Sequence, residues 1–370
     1  MSADEDVMRH ALALGRRGLG NTAPNPAVGA VVWKDTPQGP VILGRGFTQK
    51  GGRPHAETEA LKAAGDAARG ATMSVTLEPC SHHGKTPPCA EAIIAAGIKR
   101  VVTALDDPDP RVAGQGHELL RKAGIEVVTG VLRDEALRAN RGHVLRITQH
   151  RPFVALKLAQ TQNGIAATGT AERLMITGDN ANARTQILRA THDAILIGIG
   201  TALKDDPLLT LRLPGLEGQG PIRIVADPFL ALPRETKLVL SARQIPLWVV
   251  CLHQACDEKA DELEDAGVEI IRVPSAHGDG LLLDLKALMT ELAARGITRV
   301  LCEGGPHFGE ALLAANLVDE LVLMTAPQTY DGTGVPALSA DARATVAAQF
   351  RLRDSWQAAP DRIDLYERMA

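Results

Sequence analysis

Thr76-Leu77-Glu78-Pro79-Cys80-Ser81-His82-His83-Gly84-Lys85-Thr86-Pro87-Pro88-Cys89, taken with His55-Ala56-Glu57 upstream, is the stretch on which the reading of this 370-residue chain turns. Zinc in a catalytic site takes three protein ligands and keeps a fourth position for water. One imidazole, His55, and two thiolates, Cys80 and Cys89, supply such a set. Both segments are expected at helix starts, where the helix dipole favours anionic sulfur. Glu57 follows His55 by two positions, so it points into the same site without competing for the metal. Bound zinc lowers the pKa of its water to about 7, and a carboxylate beside it carries the released proton. On the residues alone two alternatives stand: a closed structural site with His82 or His83 as fourth ligand, or two unrelated core cysteines. A closed site would leave Glu57 without a task.

Working outward, the chain alternates helix and strand patterns. Asp6 to Leu19 reads as a helix, and Ala27 to Trp33 and Val41 to Gly46 as paired strands about a Pro/Gly turn. Ala56 to Ala68 is a helix, Thr72 to Leu77 a strand, Ala90 to Ala96 a helix and Arg100 to Leu105 a strand. His117 to Lys122 is helical and Glu126 to Thr129 a strand. A basic, polar stretch from Arg141 to Arg151 precedes Pro152, and a domain boundary is placed there, giving domains 1–148 and 149–370. The pattern then restarts with strands at Phe153–Ala159, Ala194–Ile199, Ile222–Ala226, Leu247–Leu252, Val268–Val273, Arg299–Glu303 and Glu320–Ala326, with helices such as Leu283–Arg295 between. Such alternation implies α/β sheets with helices on their faces.

Composition narrows the function classes. Aromatic residues are 3% of the chain and the net charge is −4, which argues against a nucleic-acid binder built on stacking platforms and phosphate contacts. The apolar stretches are strand-sized, so no membrane span is expected, and no secretory signal is visible. Five scattered cysteines do not resemble a disulfide framework, which suits a reduced, cytoplasmic setting. Cys251, Cys256 and Cys302 are expected to pack in the core. His10, His117 and His143 have no nameable partner and read as surface or packing histidines.

The His-x-Glu string followed by Pro-Cys is the signature of zinc nucleobase deaminases, although eight residues rather than two separate the cysteines here. That longer loop, with Asn25-Pro26-Ala27-Val28-Gly29-Ala30 and His55-Ala56-Glu57, resembles the deaminase domain of the bifunctional riboflavin-biosynthesis enzymes. The resemblance implies a phosphorylated pyrimidine substrate, 2,5-diamino-6-(5-phosphoribosylamino)pyrimidin-4(3H)-one, which loses its 2-amino group. It implies that His55, Cys80 and Cys89 hold Zn2+, that Glu57 shuttles protons and that Asn25 contacts the pyrimidine. Read alone, Asn25-Pro26 is equally a turn. Charge points to Lys85 and Thr86 for the ribose phosphate.

The second half has no Gly-x-Gly-x-x-Gly, so a Rossmann cofactor site is not supported. It has Gly198-Ile199-Gly200-Thr201 and Gly304-Gly305-Pro306, each after an apolar strand; glycine there lets a backbone approach a ligand closely. Each cluster alone is a common turn. Gly198 to Arg212, with Asp205-Asp206-Pro207, Leu209-Thr210 and Arg212, and Glu303-Gly304-Gly305-Pro306 resemble the reductase domain of the same family, similar in fold to dihydrofolate reductase. The implied reaction is NADPH-dependent reduction of the ribosyl group of the deaminated product to ribityl. The implied cofactor contacts are Gln160, Met175, Thr201, Asp205 and Gly305. The implied substrate contacts are Arg173, Arg189, Leu209, Arg212 and Glu303, the arginines suiting a phosphate dianion. Without the resemblance, Arg189 reads as a solvated helix charge and Asp205-Asp206-Pro207 as a turn. Two departures stand out: Asn163 replaces the family's aspartate in Gln162-Asn163-Gly164, and Met175 replaces its tryptophan before Ile176-Thr177.

The expected molecule is therefore an N-terminal cytidine-deaminase-like α/β/α sandwich followed by a dihydrofolate-reductase-like α/β domain. It is expected to act on small molecules, without nucleic acid or membrane, as a homo-oligomer. The rivals are the same fold with only the deaminase active, a nucleic-acid-editing zinc deaminase, and a structural-zinc interaction protein.

Overall fold

The computed structural model describes residues 2–82, 87–110, 112–170, 174–216, 220–276 and 280–369. Two compact units divide the chain at Arg151/Pro152.

The first unit runs α1 (Ala3–Gly15), β1 (Gly29–Lys34), β2 (Val41–Phe47), α2 (Ala56–Ala64), β3 (Thr72–Val75), α3 (Cys89–Ala95), β4 (Arg100–Thr103), α4 (Gln115–Lys122), β5 (Glu126–Val128), α5 (Arg133–Ala139) and α6 (Arg141–Gln149). Helix α1 starts at a capping box in which the Ser2 hydroxyl accepts from the Glu5 N–H and the Glu5 carboxylate accepts from the Ser2 N–H. The sheet order is β2-β1-β3-β4-β5, antiparallel on the β2-β1-β3 side and parallel from β3 to β5. Strand β1 is buried along Gly29–Trp33, and the indole N–H of Trp33 donates to the Ser74 hydroxyl on β3 (3.0 Å). Two glycines on one face of β2 set the placement of α2. A methyl on Gly44 would lie 2.2 Å from the Ala60 carbonyl oxygen, and one on Gly46 would lie 2.2 Å from that of Ala56. Helix α2 thus rests on bare backbone, and its first turn carries His55 and Glu57 to one edge of the sheet. The residues around 148, expected as a boundary, continue helix α6, which buries Gly142 and Leu145.

The second unit runs β6 (Phe153–Gln160), β7 (Ile165–Thr168), α7 (Asp179–Ala190), β8 (Ala194–Gly198), α8 (Ile199–Asp205), β9 (Ile222–Ala226), α9 (Lys237–Leu240), β10 (Leu247–Leu252), α10 (Asp257–Asp265), β11 (Glu269–Val273), α11 (Leu285–Ala294), β12 (Arg299–Cys302), α12 (Pro306–Ala314), β13 (Glu320–Thr325), β14 (Gly334–Pro336), α13 (Ala340–Gln349), β15 (Phe350–Ala358) and β16 (Asp361–Arg368). Nine strands form one sheet in the order β11-β10-β9-β8-β12-β6-β13-β16-β15. It is parallel from β11 to β13, and β16 and β15 close it antiparallel. Both faces of the parallel part are buried. On β8, Ala194 and Leu196 face one core while Ile195 and Ile197 face the other. Burial on both sides is why these strands read as continuous apolar runs rather than alternating ones. Truncating a residue such as Leu196 to alanine should cost about 2–5 kcal/mol. Strands β7 and β14 form a separate two-stranded ribbon that short, half-buried sequence did not announce.

Cys251 and Cys302 pack in the two cores, as expected, but Cys256 is exposed before α10; all five cysteines are free thiols. Among the described residues no helix is long and apolar enough to cross a membrane.

Candidate functional site

His55 occupies the N-cap of α2, Cys80 lies in the loop after β3, and Cys89 is the first residue of α3. The imidazole Nδ1 of His55 stands 3.3 Å from the Cys89 sulfur and 3.7 Å from the Cys80 sulfur. A tetrahedral zinc with bonds of about 2.0 Å to nitrogen and 2.3 Å to sulfur holds its donors roughly 3.5–3.8 Å apart. The three side chains are therefore already at metal-binding separation, and the soft sulfur–imidazole donor set suits zinc. The backbone N–H of Cys89, free at its helix start, donates to the Cys80 sulfur (3.3 Å). A hydrogen bond from Cys89, helped by His55, pulls the Cys80 thiol down to about 4 against the opposing effect of burial. Cys89 is pushed up, first by its hydrogen bond with Cys80 and then by burial. Two sulfurs and an imidazole nitrogen at this separation make a donor set suited to a cation.

Glu57, on the first turn of α2, is 4% exposed, and burial lifts its carboxyl above the usual range. Among the described residues two groups lie close enough to hold a metal ion, His55, Cys80 and Cys89, and Glu78, Asp106 and His117; neither Glu57 nor the exposed His82 joins the first, and only the first carries sulfur donors. His83, Lys85 and Thr86 lie outside the described residues. Asn25 is half-buried, and its amide donates to the carbonyl of Gly52 (3.1 Å), three residues before His55. Gly52 has φ +82°, and a Cβ there would fall 2.1 Å from that amide nitrogen. Asn25 thus makes a turn contact and also sits against the segment leading into the metal site.

One residue that sequence reading left without a role organises the opposite wall. Glu78 is buried, and its carboxylate accepts four backbone N–H groups, from Asp107 (3.1 Å), Gly114 (2.9 Å), Gly116 (2.8 Å) and His117 (3.3 Å). The last two are free amides in the first turn of α4, where an anion is favoured. Glycine at 116 is required because a Cβ there would meet the Pro79 carbonyl at 2.0 Å. His117, expected to lack partners, lies 3.0 Å from the Thr103 hydroxyl and faces Asp106 and Glu78. The Glu-Pro-Cys string is thereby pinned two residues before its metal ligand.

In the second unit the carboxyl ends of β6, β8 and β12 lie side by side, because β12 returns between β8 and β6 after the chain has marched outward to β11. Ligands of parallel sheets bind at such reversals. Gln160 ends β6, Gly198 ends β8 and Glu303 follows β12. The Thr201 hydroxyl on α8 accepts from the Gly305 N–H (3.0 Å), joining the two glycine turns, and Gly305 is the N-cap of α12 with Pro306 behind it. A Cβ on Gly200 would meet nothing within 4 Å, so this backbone borders open space. Two helix starts beside that space fit the pyrophosphate of a dinucleotide. The Gln160 amide donates to Thr325 (3.1 Å).

Arg189 on α7 and Glu303 form a two-pronged ion pair, Nε–Oε1 2.6 Å and Nη2–Oε2 2.8 Å, with both side chains about nine-tenths buried. Nη1 donates to the Thr210 carbonyl (2.8 Å). Arg189 is therefore no solvated helix charge. Leu209 buries its side chain in the core, which leaves only its backbone for any ligand contact. Arg212 and Met175 are exposed, Asp205 is half-buried, and Arg173 lies outside the described residues. Lys157, the one charge in an otherwise apolar β6, was left unassigned by the sequence reading. Burial pushes its ammonium below the ordinary value while nearby Glu303 pushes it up.

The departure at Asn163 has a structural use. Its Oδ1 accepts from the Thr161 hydroxyl (2.7 Å) and the Tyr330 N–H (3.1 Å), and its Nδ2 donates to the Tyr330 carbonyl (2.9 Å). A carboxylate would fill the first two roles and fail the third. Met175 contributes its carbonyl, which accepts from Gln328 (2.8 Å).

Comparison with known proteins matches both halves. Residues 1–105 match the cytidine and deoxycytidylate deaminase zinc-binding region, and residues 152–363 match the RibD C-terminal domain. The riboflavin biosynthesis protein RibD of Aquifex aeolicus is 42% identical over 88% of this chain and 87% of its own length. That of Escherichia coli is 38% identical over 97% of each. Among solved structures, Acinetobacter baumannii RibD superposes with a TM-score of 0.87 at 34% identity, covering 100% of this chain and 99% of that one. A Thermotoga maritima diaminohydroxyphosphoribosylaminopyrimidine deaminase/5-amino-6-(5-phosphoribosylamino)uracil reductase gives 0.83 at 33%, covering 99% of each. Both halves and nearly the full length agree, and the chain belongs to the bifunctional RibD family of riboflavin biosynthesis, a zinc-dependent deaminase joined to an NADPH-dependent reductase.

Proposed function

We propose that His55, Cys80 and Cys89 hold the zinc of the deaminase and that Glu57 is its proton carrier, acting on 2,5-diamino-6-(5-phosphoribosylamino)pyrimidin-4(3H)-one. The observation that carries this reading is the convergence of Nδ1 and two sulfurs beside a buried carboxylate that is not itself a ligand. When bound, zinc supplies Lewis acidity that lowers the pKa of a water to about 7. Glu57 would carry two protons in turn, one from the attacking water to the ring nitrogen and a second, from the hydroxyl so added, to the amino group that leaves as ammonia. Its burial favours the protonated form, which suits a group that must give as well as take. Asn25 orients the pyrimidine, and Lys85 and Thr86 meet the ribose phosphate.

In the second unit, Gln160, Met175, Thr201, Asp205 and Gly305 form the cofactor side. NADPH, when bound, supplies the hydride that turns the ribosyl group into ribityl. Glu303, Leu209 and Arg212 form the substrate side of 5-amino-6-(5-phosphoribosylamino)uracil, with Arg173 as a further contact. Arg189 meets the substrate while it holds Glu303, so the phosphate falls chiefly to the exposed Arg212. The enzyme works in the cytoplasm as a homo-oligomer on small molecules.

The test is product mass analysis from the diaminopyrimidine ribotide. Without NADPH the product should show exchange of one amino group for oxygen, with ammonia released. Adding NADPH should add two hydrogens. Ammonia release without the second step would leave a deaminase alone, and no ammonia release would remove the zinc reading.

A further inference from the structure

The segment from Leu209 to Arg212 lies outside any helix or strand, so no ladder holds its backbone. Leu209 also adopts φ +52°, a left-handed conformation that a branched side chain takes only when its surroundings enforce it. Three attachments do the enforcing. The Leu209 side chain is anchored in the core. Arg189 takes the Thr210 carbonyl. Gln186, one turn earlier on the same face of α7, accepts the Arg212 N–H at 2.7 Å through its side-chain oxygen. Gln186 is 9% exposed, a position where an apolar residue would pack without the cost of burying an amide. The same turn of α7 thus grips the Arg212 backbone through Gln186 and the Glu303 carboxylate through Arg189.

We propose that Gln186 is a positioning residue of the reductase: by holding the Arg212 backbone it sets where the Arg212 side chain meets the substrate phosphate relative to Glu303. The proposal rests on the reading of Arg212 and Glu303 as substrate contacts. Gln186 touches no reacting atom; it acts through Arg212.

The experiment uses the full-length, zinc-loaded enzyme with Gln186→Met, which keeps length and loses the acceptor, and Gln186→Glu, which keeps both. Gln186→Met should raise KM for 5-amino-6-(5-phosphoribosylamino)uracil about tenfold, equivalent to about 1.4 kcal/mol. Reductase kcat, NADPH Kd and the deaminase rate should stay within about twofold, against that tenfold change. Hydrogen exchange at the Arg212 amide should accelerate, and Gln186→Glu should restore both exchange and KM. If Gln186→Met does not fold, Gln186→Ser, too short to reach Arg212, makes the same test. An unmoved KM in the acceptor-less variants overturns the proposal, as does a Glu variant no better than Met. Arg212→Ala separates the two levels. If it raises KM where Gln186→Met does not, the positioning role alone is wrong; if it leaves KM unmoved, the substrate reading falls and the proposal with it.

Discussion

The two catalytic regions are assembled in opposite ways. The candidate metal centre brings together His55, Cys80 and Cys89, two of them at helix starts, with the buried Glu57 on the same first turn as His55. The reductase site proposed above draws Gln160, Arg189, Thr201, Arg212 and Glu303 from strands, helices and a loop scattered over most of the second unit. In the first, three side chains converge at metal-binding separation, so the loss of any one should be severe. In the second, the work is shared among backbone amides, an ion pair and a loop braced from α7, so single losses should be graded.

That contrast is sharpest at Glu57. Glu57→Gln should cut deamination about a hundredfold to ten-thousandfold, with zinc content unchanged by metal analysis and reduction of supplied aminouracil ribotide intact. A simultaneous loss of zinc would mean that Glu57 holds the metal together, and the division of labour drawn here would fail. Glu303→Ala leaves the Arg189 guanidinium buried and unpaired, which should destabilise the second unit by about 3–5 kcal/mol. The check is denaturant unfolding followed by the reductase signal, with deamination as the unaffected control. In the first unit, Glu78→Ala strands four amides, and about 3 kcal/mol of stability should go with them. Zinc should then be lost to a chelator faster than in the parent protein. If chelation is no faster, Glu78 is not what pins the Cys80 loop.

Acid should strain both units through buried histidines, His143 and, less strongly, His117 in the first and His192 in the second. Burial pushes His143 down to about 4 and His192 down to about 3, so both stay neutral when folded and titrate near 6.5 when unfolded. Protons then favour the unfolded chain, and stability, complete above pH 6.5, declines as pH falls. The first unit's share should be spent near pH 4 and the second's near pH 3. His192→Asn should flatten the slope of the second unit alone. The smallest effect belongs to Asn163→Asp, which forfeits one exposed hydrogen bond to Tyr330 at about 1 kcal/mol. Denaturant unfolding followed by the reductase signal should show a loss of that size.

Legibility followed the same division. His55, Glu57, Cys80 and Cys89 are chemically unusual residues at short spacing, and their meaning survives without knowing the fold. Most strands of both sheets were also readable, because two-sided burial writes apolar runs into the sequence. The pairing of Arg189 with Glu303, and the roles of Glu78, Gln186 and Lys157, were not readable. Each depends on which distant backbone the fold brings alongside, and a lone charged or amide residue on a helix carries no mark of that. The ribbon of β7 and β14 escaped for a related reason: a strand of three or four half-buried residues leaves no periodicity to detect.

The strand order of the second sheet also has a consequence for biosynthesis. Strand β12 fits between β8 and β6, and β13, β16 and β15 complete the far side. A nascent chain that has emerged through α6 holds His55, Cys80, Cys89 and the whole first sheet, so the first unit should fold on the ribosome before the second. The later sheet must wait with a gap at its centre until about the last fifth of the polypeptide is made. A ribosome stalled between α11 and β12 should therefore carry a chain that deaminates and does not reduce.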